Sequence, residues 1–318
     1  MERPEGVRAR ARRELVQRIT DTARRQLAEV GAAGLSVRAV TRELGMAPSA
    51  VYRYFPSRDA LLTTLIVEAF QGVADAALGA ERAVARDDLA GRWTAVYRAV
   101  RDWGLARPHE YALIYGSPVP GYVAPEETAE PAARVPLLLA GIACEAWVAS
   151  MGAGERQEVP VGRGAGGSGL DAGGSGADGS TVDRPGARGS MAGVPGASAS
   201  TPGGPGQREA AAAQVDDARR AELAAAFAAE SAQHTTGGLA DDARRLTDFL
   251  RVARPDLTLD GIPAEVALAV VDGWAELVGC VSFELFGHYR RVIDARSEHL
   301  DAVARRTGER AGVRFARS

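Results

Sequence analysis

Apolar residues recur every three or four positions through most of the chain, the period of helices with one buried face. Leu15, Ile19, Ala23, Leu27 and Val30 form one such stripe and predict a helix from Arg12 to about Ala32, closed by Gly31 and Gly34. The stretch Leu35 to Ile66 breaks into three shorter helices. Ser36 is placed to cap the first, with Val37, Val40 and Leu44 on one face and Gly45 at its end. Pro48 opens the second at a position where a missing N–H is harmless; Val51 and Phe55 face inward. Pro56 interrupts the chain and Ser57 caps the third, with Asp59 in its first turn. That helix runs to about Gly79, and its apolar face shifts from Leu61, Leu62, Leu65 and Ile66 to Ala69 and Val73. Such a rod can pack on one domain early and on another late.

Further helices follow at Asp87–Ala106, from Pro125 or Glu126 to Val148, over residues 208 to 232 and over residues 239 to 253. A long helix begins at Pro263 and a charged, exposed one spans residues 290 to 307, with a frayed tail after Gly308. Between the second and third of the body helices, residues 106 to 127 hold Tyr111, Tyr115 and several prolines, which predicts an ordered irregular loop after a short helix at Pro108. Residues 151 to 207 hold about half of the 37 glycines and almost no large apolar side chains, a composition that does not recover the entropy of ordering. They read as a disordered insertion. No strand pattern intervenes, so the fold class is all-α.

Charge sharpens this division. Residues 1 to 60 carry twelve Arg against seven acids, while the whole chain has a net charge of −3. One basic end on a mildly acidic body suits a nucleic-acid-reading head, with residues 1 to 11 as a loose basic arm. Cys144 and Cys280 sit in apolar runs and read as buried thiols. The basic start has no apolar core behind it, so no secretory signal is expected, and no uninterrupted apolar run reaches spanning length. A cytoplasmic protein without membrane contact is the expectation. No metal-ligand spacing, phosphate loop or nucleophile–base order appears, so no metal, no cofactor and no catalytic residue is expected.

The two short helices around Gly45 have the form of a helix-turn-helix, whose second member can enter a major groove. Small Ser49 and Ala50 leave its leading end free to approach bases. Tyr52 and Tyr54 can donate to phosphates, and Arg38, Arg53 and Arg58 can neutralise them. The run Tyr52, Arg53, Tyr54, Phe55, Pro56, Ser57, Arg58 resembles the end of the DNA-reading helix in the TetR family of transcriptional repressors; Met46 in the turn departs from the usual Val. The resemblance implies that Tyr52, Tyr54 and Arg58 contact the DNA backbone, that Arg38 starts the first motif helix, and that Ser49 and Ala50 lie nearest the bases.

Trp103, His109 and Gly116, followed by Pro118, Gly121, Ala124 and Pro125, look like the signature of the TetR subfamily named for its Trp-His-Gly motif. The resemblance implies a three-helix helix-turn-helix head, residues 1–58, joined by a connector helix to an α-helical ligand-binding and dimerisation domain, residues 59–318, interrupted at 151–207. His109 reads either as a group pinning the loop or as a pocket contact; Trp147 reads as cavity wall or core. Tyr97, Trp103, His109, Tyr111, Tyr115, Trp147 and Phe227 are candidate walls of an effector pocket. Val266, Val270, Gly273, Trp274, Leu277, Val281 and Leu285 line one broad face of the long helix. By the resemblance that face meets a second copy in a four-helix bundle, a homodimer suited to a palindromic duplex operator. The function implied is sequence-specific transcriptional control, a repressor released by a small-molecule effector. The alternatives are a dimeric DNA-binding protein without effector and an enzyme keeping a degenerate DNA-binding head.

Overall fold

The computed structural model describes residues 6–154, 238–255, 257 and 262–316. Among these residues there is no strand, and the helices are α1 (Val7–Gly34), α2 (Val37–Glu43), α3 (Pro48–Tyr52), α4 (Arg58–Arg82), α5 (Leu89–Ala106), α6 (Pro108–Tyr115), α7 (Ala129–Gly154), α8 (Leu239–Ala253), α9 (Ala264–Leu285) and α10 (Arg296–Arg310). A short 3-10 turn, Glu126–Thr128, precedes α7.

Two apolar cores form. Ile19, Ala23, Val37, Val40, Val51 and Phe55 close the head around the first turns of α4, where Leu61, Leu62, Leu65 and Ile66 are buried. Further along α4, Ala69, Val73 and Ala77 join the body core with Trp93, Tyr97, Leu139, Ile142, Leu277, Val281 and Leu300. The shifting apolar face of α4 is thus a change of partner, and one rod belongs to both cores.

Local chemistry accounts for several helix ends. Ser57 accepts a hydrogen bond from the Ala60 amide at 3.0 Å, and Asp88 does the same for the Gly91 amide at 2.8 Å. Ser36 occupies the N-cap of α2 but makes no such bond. Gly45 turns the chain after α2 at φ 65°. Gly31, at φ 70° and ψ 173°, interrupts α1 in a region open essentially to glycine alone, so its last residues turn away from the main axis.

Several expectations are corrected. The helix begins at Val7, so residues 7–11 are helical and not a loose arm. Met151 to Gly154 extend α7 and do not belong to an irregular insertion. The rest of that stretch, 155–207, and the helix expected over 208–232 lie outside the described residues. The final helix is not simply exposed, since Leu300, Val303, Ala304 and Thr307 are buried. Nor does the chain fray after Gly308: Ala311 and Val313 are buried, and Phe315 packs against Gly308. Three helices, α4, α7 and α9, are long and apolar enough to cross a membrane by length and composition, although charged residues interrupt each of them. Here they contribute side chains to one shared core.

The body contains a charged group that the sequence reading missed. Arg92, 2 % exposed, donates to Glu81 at 2.7 Å, to Glu145 at 2.6 Å and to the Arg86 carbonyl at 3.0 Å. Burial alone would lower the guanidinium pKa, but the two carboxylates outweigh it and hold it above its ordinary value. The network ties the end of α4 to α5 and α7. Its signal was legible: Arg92 stands four residues before buried Val96, on the apolar stripe of α5.

Candidate DNA-reading interface and effector residues

The head presents a small polar face. Ser49, Arg53 and Arg38 are exposed, Ala50 is half-buried, and Tyr52 is 39 % exposed. These side chains surround α3, whose inward residue Val51 is fully buried. Holding α3 by one apolar contact leaves its opposite surface free, the arrangement a groove-entering helix needs. Tyr54 is half-buried and lies under the Arg12 guanidinium, 5.1 Å from its ring centroid.

Arg58 is placed differently from the other expected backbone contacts. Its guanidinium donates to the Ala32 carbonyl at 2.8 Å and the Leu35 carbonyl at 3.1 Å. Those carbonyls follow the Gly31 interruption, so Arg58 pins the junction of α1 and α2.

The expected pocket residues do not share one void. Tyr97 is fully buried; its hydroxyl donates to the Gly273 carbonyl at 2.7 Å and pairs with Thr307 at 2.7 Å. Tyr111 is also fully buried and donates to the Val278 carbonyl at 2.8 Å. Burial raises the pKa of both phenols. Tyr115 is pushed up to about 12 by burial; its hydroxyl lies near the Trp274 indole, whose N–H makes no hydrogen bond. Trp103 is buried, with Arg107 over its ring at 5.9 Å, and Trp147 is half-buried on α7. Phe227 lies outside the described residues. The gap lined by Cys144, Leu250 and Val270 measures about 10 Å³, at most the space of one water. Tyr97 and Tyr111 therefore act as core members with satisfied hydroxyls.

His109 is exposed and stands on the wall of a cleft of about 740 Å³ between head and body. Tyr115 and Gly116 line the same cleft. Gly116 is required sterically: a Cβ there would collide with the Ala112 carbonyl. The loop beyond it is ordered by the head, since Val119 and Tyr122 pack on the head core and the Tyr122 hydroxyl pairs with Thr63 at 2.9 Å.

The face expected to meet a second copy is turned inward instead. Val270, Gly273, Leu277 and Val281 are buried within the protomer, and Val266, Trp274 and Leu285 pack against the same core. The reason is that α5, α7 and α10 need that broad stripe to complete the body. The outward side of α9 carries Val271, Ala275, Gly279 and Phe283 at four-residue spacing, then Phe286. Val271, Phe283 and Phe286 are 39 %, 51 % and 49 % exposed.

Known proteins resemble this chain over its head and part of its body. The family model for bacterial regulatory proteins of the tetR family matches residues 19–65, the head and the start of α4. A second model, the tetracyclin repressor-like C-terminal domain, matches residues 93–164. The matched stretches are similar to the TetR family. Among similar sequences are the HTH-type transcriptional regulators Rv1816 of Mycobacterium tuberculosis (strain ATCC 25618 / H37Rv) and Mb1846 of Mycobacterium bovis. Each is 51 % identical over 136 residues, 41 % of this chain and 56 % of the relative. The chain therefore spans little more than half the length of the curated relatives it matches. The crystal structure of the regulatory protein SCO4313 aligns with a TM-score of 0.55 at 23 % identity, covering 95 % of this chain and 98 % of that one, a likeness of fold.

Proposed function

We propose that this chain is a TetR-family regulator of transcription, non-enzymatic and sequence-specific in its DNA binding, that acts in the cytoplasm as a homodimer. The observation that carries the reading is the exposed side of α3: Ser49, Ala50, Tyr52 and Arg53 face away from a head core closed by Val51 and Phe55. Ser49 and Ala50 approach base edges, while Arg38, Tyr52, Arg53 and Tyr54 meet phosphates. The names of the mycobacterial relatives support the reading. Ser49→Glu would set a carboxylate against the groove and is expected to lower specific affinity about 10- to 100-fold, on the order of the 1–3 kcal/mol carried by a good base contact. Unchanged binding would remove α3 from the interface.

The partner copy meets the outward stripe of α9. Ala275 and Gly279 allow close approach of a second helix between apolar Val271 and Phe283. Such two-fold pairing matches a palindromic operator whose half-sites are about 34 Å apart. Sedimentation of Ala275→Arg is expected to show monomers; a persistent dimer would place the interface elsewhere. The regulator is a repressor, released when a small molecule favours a dimer shape with mismatched reading helices. Among the described residues the centre of the body is filled, which favours one alternative, a dimeric DNA-binding protein without effector.

A further inference from the structure

We infer that the effector site of this protein is the cleft between head and body, and that it takes a neutral, largely apolar, ring-containing molecule with one hydrogen-bond acceptor. The inference rests on the regulator reading above. The cleft, about 740 Å³, has the size of small-molecule sites in general. Leu27, Leu113, Tyr115, Val119 and Phe286 give it apolar walls. His109, Ser117 and Ser282 supply the polar groups, and among the described residues no carboxylate, guanidinium or ammonium lines it. A charged ligand would lose hydration without an ionic partner, whereas a neutral ring system with one acceptor finds both apolar surface and a donor.

Its position explains how occupancy could reach the DNA. One wall is the end of α1 after the Gly31 interruption, the segment that Arg58 holds to the head. The opposite wall is α6 and the following loop, which pack on the head core through Leu113, Val119 and Tyr122. Ser282 and Phe286, at the end of α9, close it from the side of the outward apolar stripe. An occupant would touch head, body and the proposed pairing helix together. Beside the cleft, Arg24 of α1 pairs with Glu68 of α4 at 2.5 Å and lies 3.9 Å from Glu110 of α6, a polar joint between the same parts. The buried tyrosines of the body offer no such connection, because their hydroxyls are committed within the core.

The test uses the full chain and Nile red, a neutral fused-ring dye with a carbonyl acceptor. Ala33 and Ser117 are exposed on opposite walls, so Ala33→Trp and Ser117→Trp fill the cleft without disturbing a core. Thr94→Trp, in the separate groove lined by Arg98 and Phe315, serves as control. The expected result is saturable binding of one dye per chain, weakened at least tenfold in both cleft variants and unchanged in the control, with equal melting temperatures. Absence of saturable binding, or equal binding by the cleft variants, would overturn the inference. Capture of random duplex DNA by the same preparations separates the two readings. DNA binding with a dye-indifferent cleft sinks the site alone; a cleft that binds dye in a chain that captures no duplex sinks the regulator reading.

Discussion

Arg58→Ala separates a structural arginine from a phosphate contact. The side chain is 29 % exposed and donates to the carbonyls of Ala32 and Leu35. Hydrogen bonds from charged donors contribute about 1.5–3 kcal/mol each. Water can reach part of this site and replace some of the loss, so the variant is expected to lose about 2–3 kcal/mol of head stability rather than the full sum. The assay has two arms. Urea unfolding, at fixed protein concentration, gives the stability change. Affinity for a duplex at several salt concentrations gives the number of phosphates neutralised, since each contact adds about 0.9 to the slope of log K against log salt. If Arg58 pins the α1–α2 junction, stability falls, affinity falls with it, and the slope stays constant. A slope smaller by about one, with stability unchanged, would refute that role and make Arg58 a direct backbone contact. Arg53→Ala is the counterpart: exposed, and expected to reduce the slope without loss of stability.

Three further outcomes are expected. Arg92→Met leaves the buried Glu81 carboxylate with only the exposed Arg86 as its ionic partner and should cost about 3–5 kcal/mol in a denaturant titration, with much of it recovered by adding Glu81→Leu. Gly31→Ala forces a side chain into backbone space open to glycine and should destabilise the fold by about 1–3 kcal/mol, read from the shift in unfolding midpoint. Burial raises Cys144 from 9 to about 11 and Tyr115 from 10 to about 12. The unfolded chain therefore releases these protons first, so stability present below pH 9 is lost progressively as pH rises through 11 and 12; a flat stability profile from pH 9 to 11 would contradict the burial of Cys144.

The head was largely legible because its signals are local. Gly45, Pro48 and Ser57 fix turns within a few residues of themselves, and Val51 and Phe55 leave only one side of α3 for the core. The division of α4 between two cores was equally visible, as a drift of its apolar face. The body resisted for the opposite reason. An apolar α9 must bury most of its circumference, but periodicity does not say whether a face meets its own protomer or a second copy. Val270, Leu277 and Val281 went to α5, α7 and α10, leaving Val271, Ala275 and Phe283 outside. Aromatic content misled in the same way: Tyr97 and Tyr111 resemble pocket walls, yet their hydroxyls close onto carbonyls nearly 170 residues or more away, a match no local pattern encodes. Arg58 has partners no motif announces, the Ala32 and Leu35 carbonyls of the preceding helix junction.

The most direct measurement is selection of duplex DNA from a random library by the full chain, with Ser49→Glu alongside. A DNA-reading homodimer should enrich an inverted repeat with half-site centres about 10 base pairs apart, and the variant should lose that enrichment. Recovery of no shared sequence, or of one that Ser49→Glu binds equally well, would contradict the assignment of α3 as the reading helix.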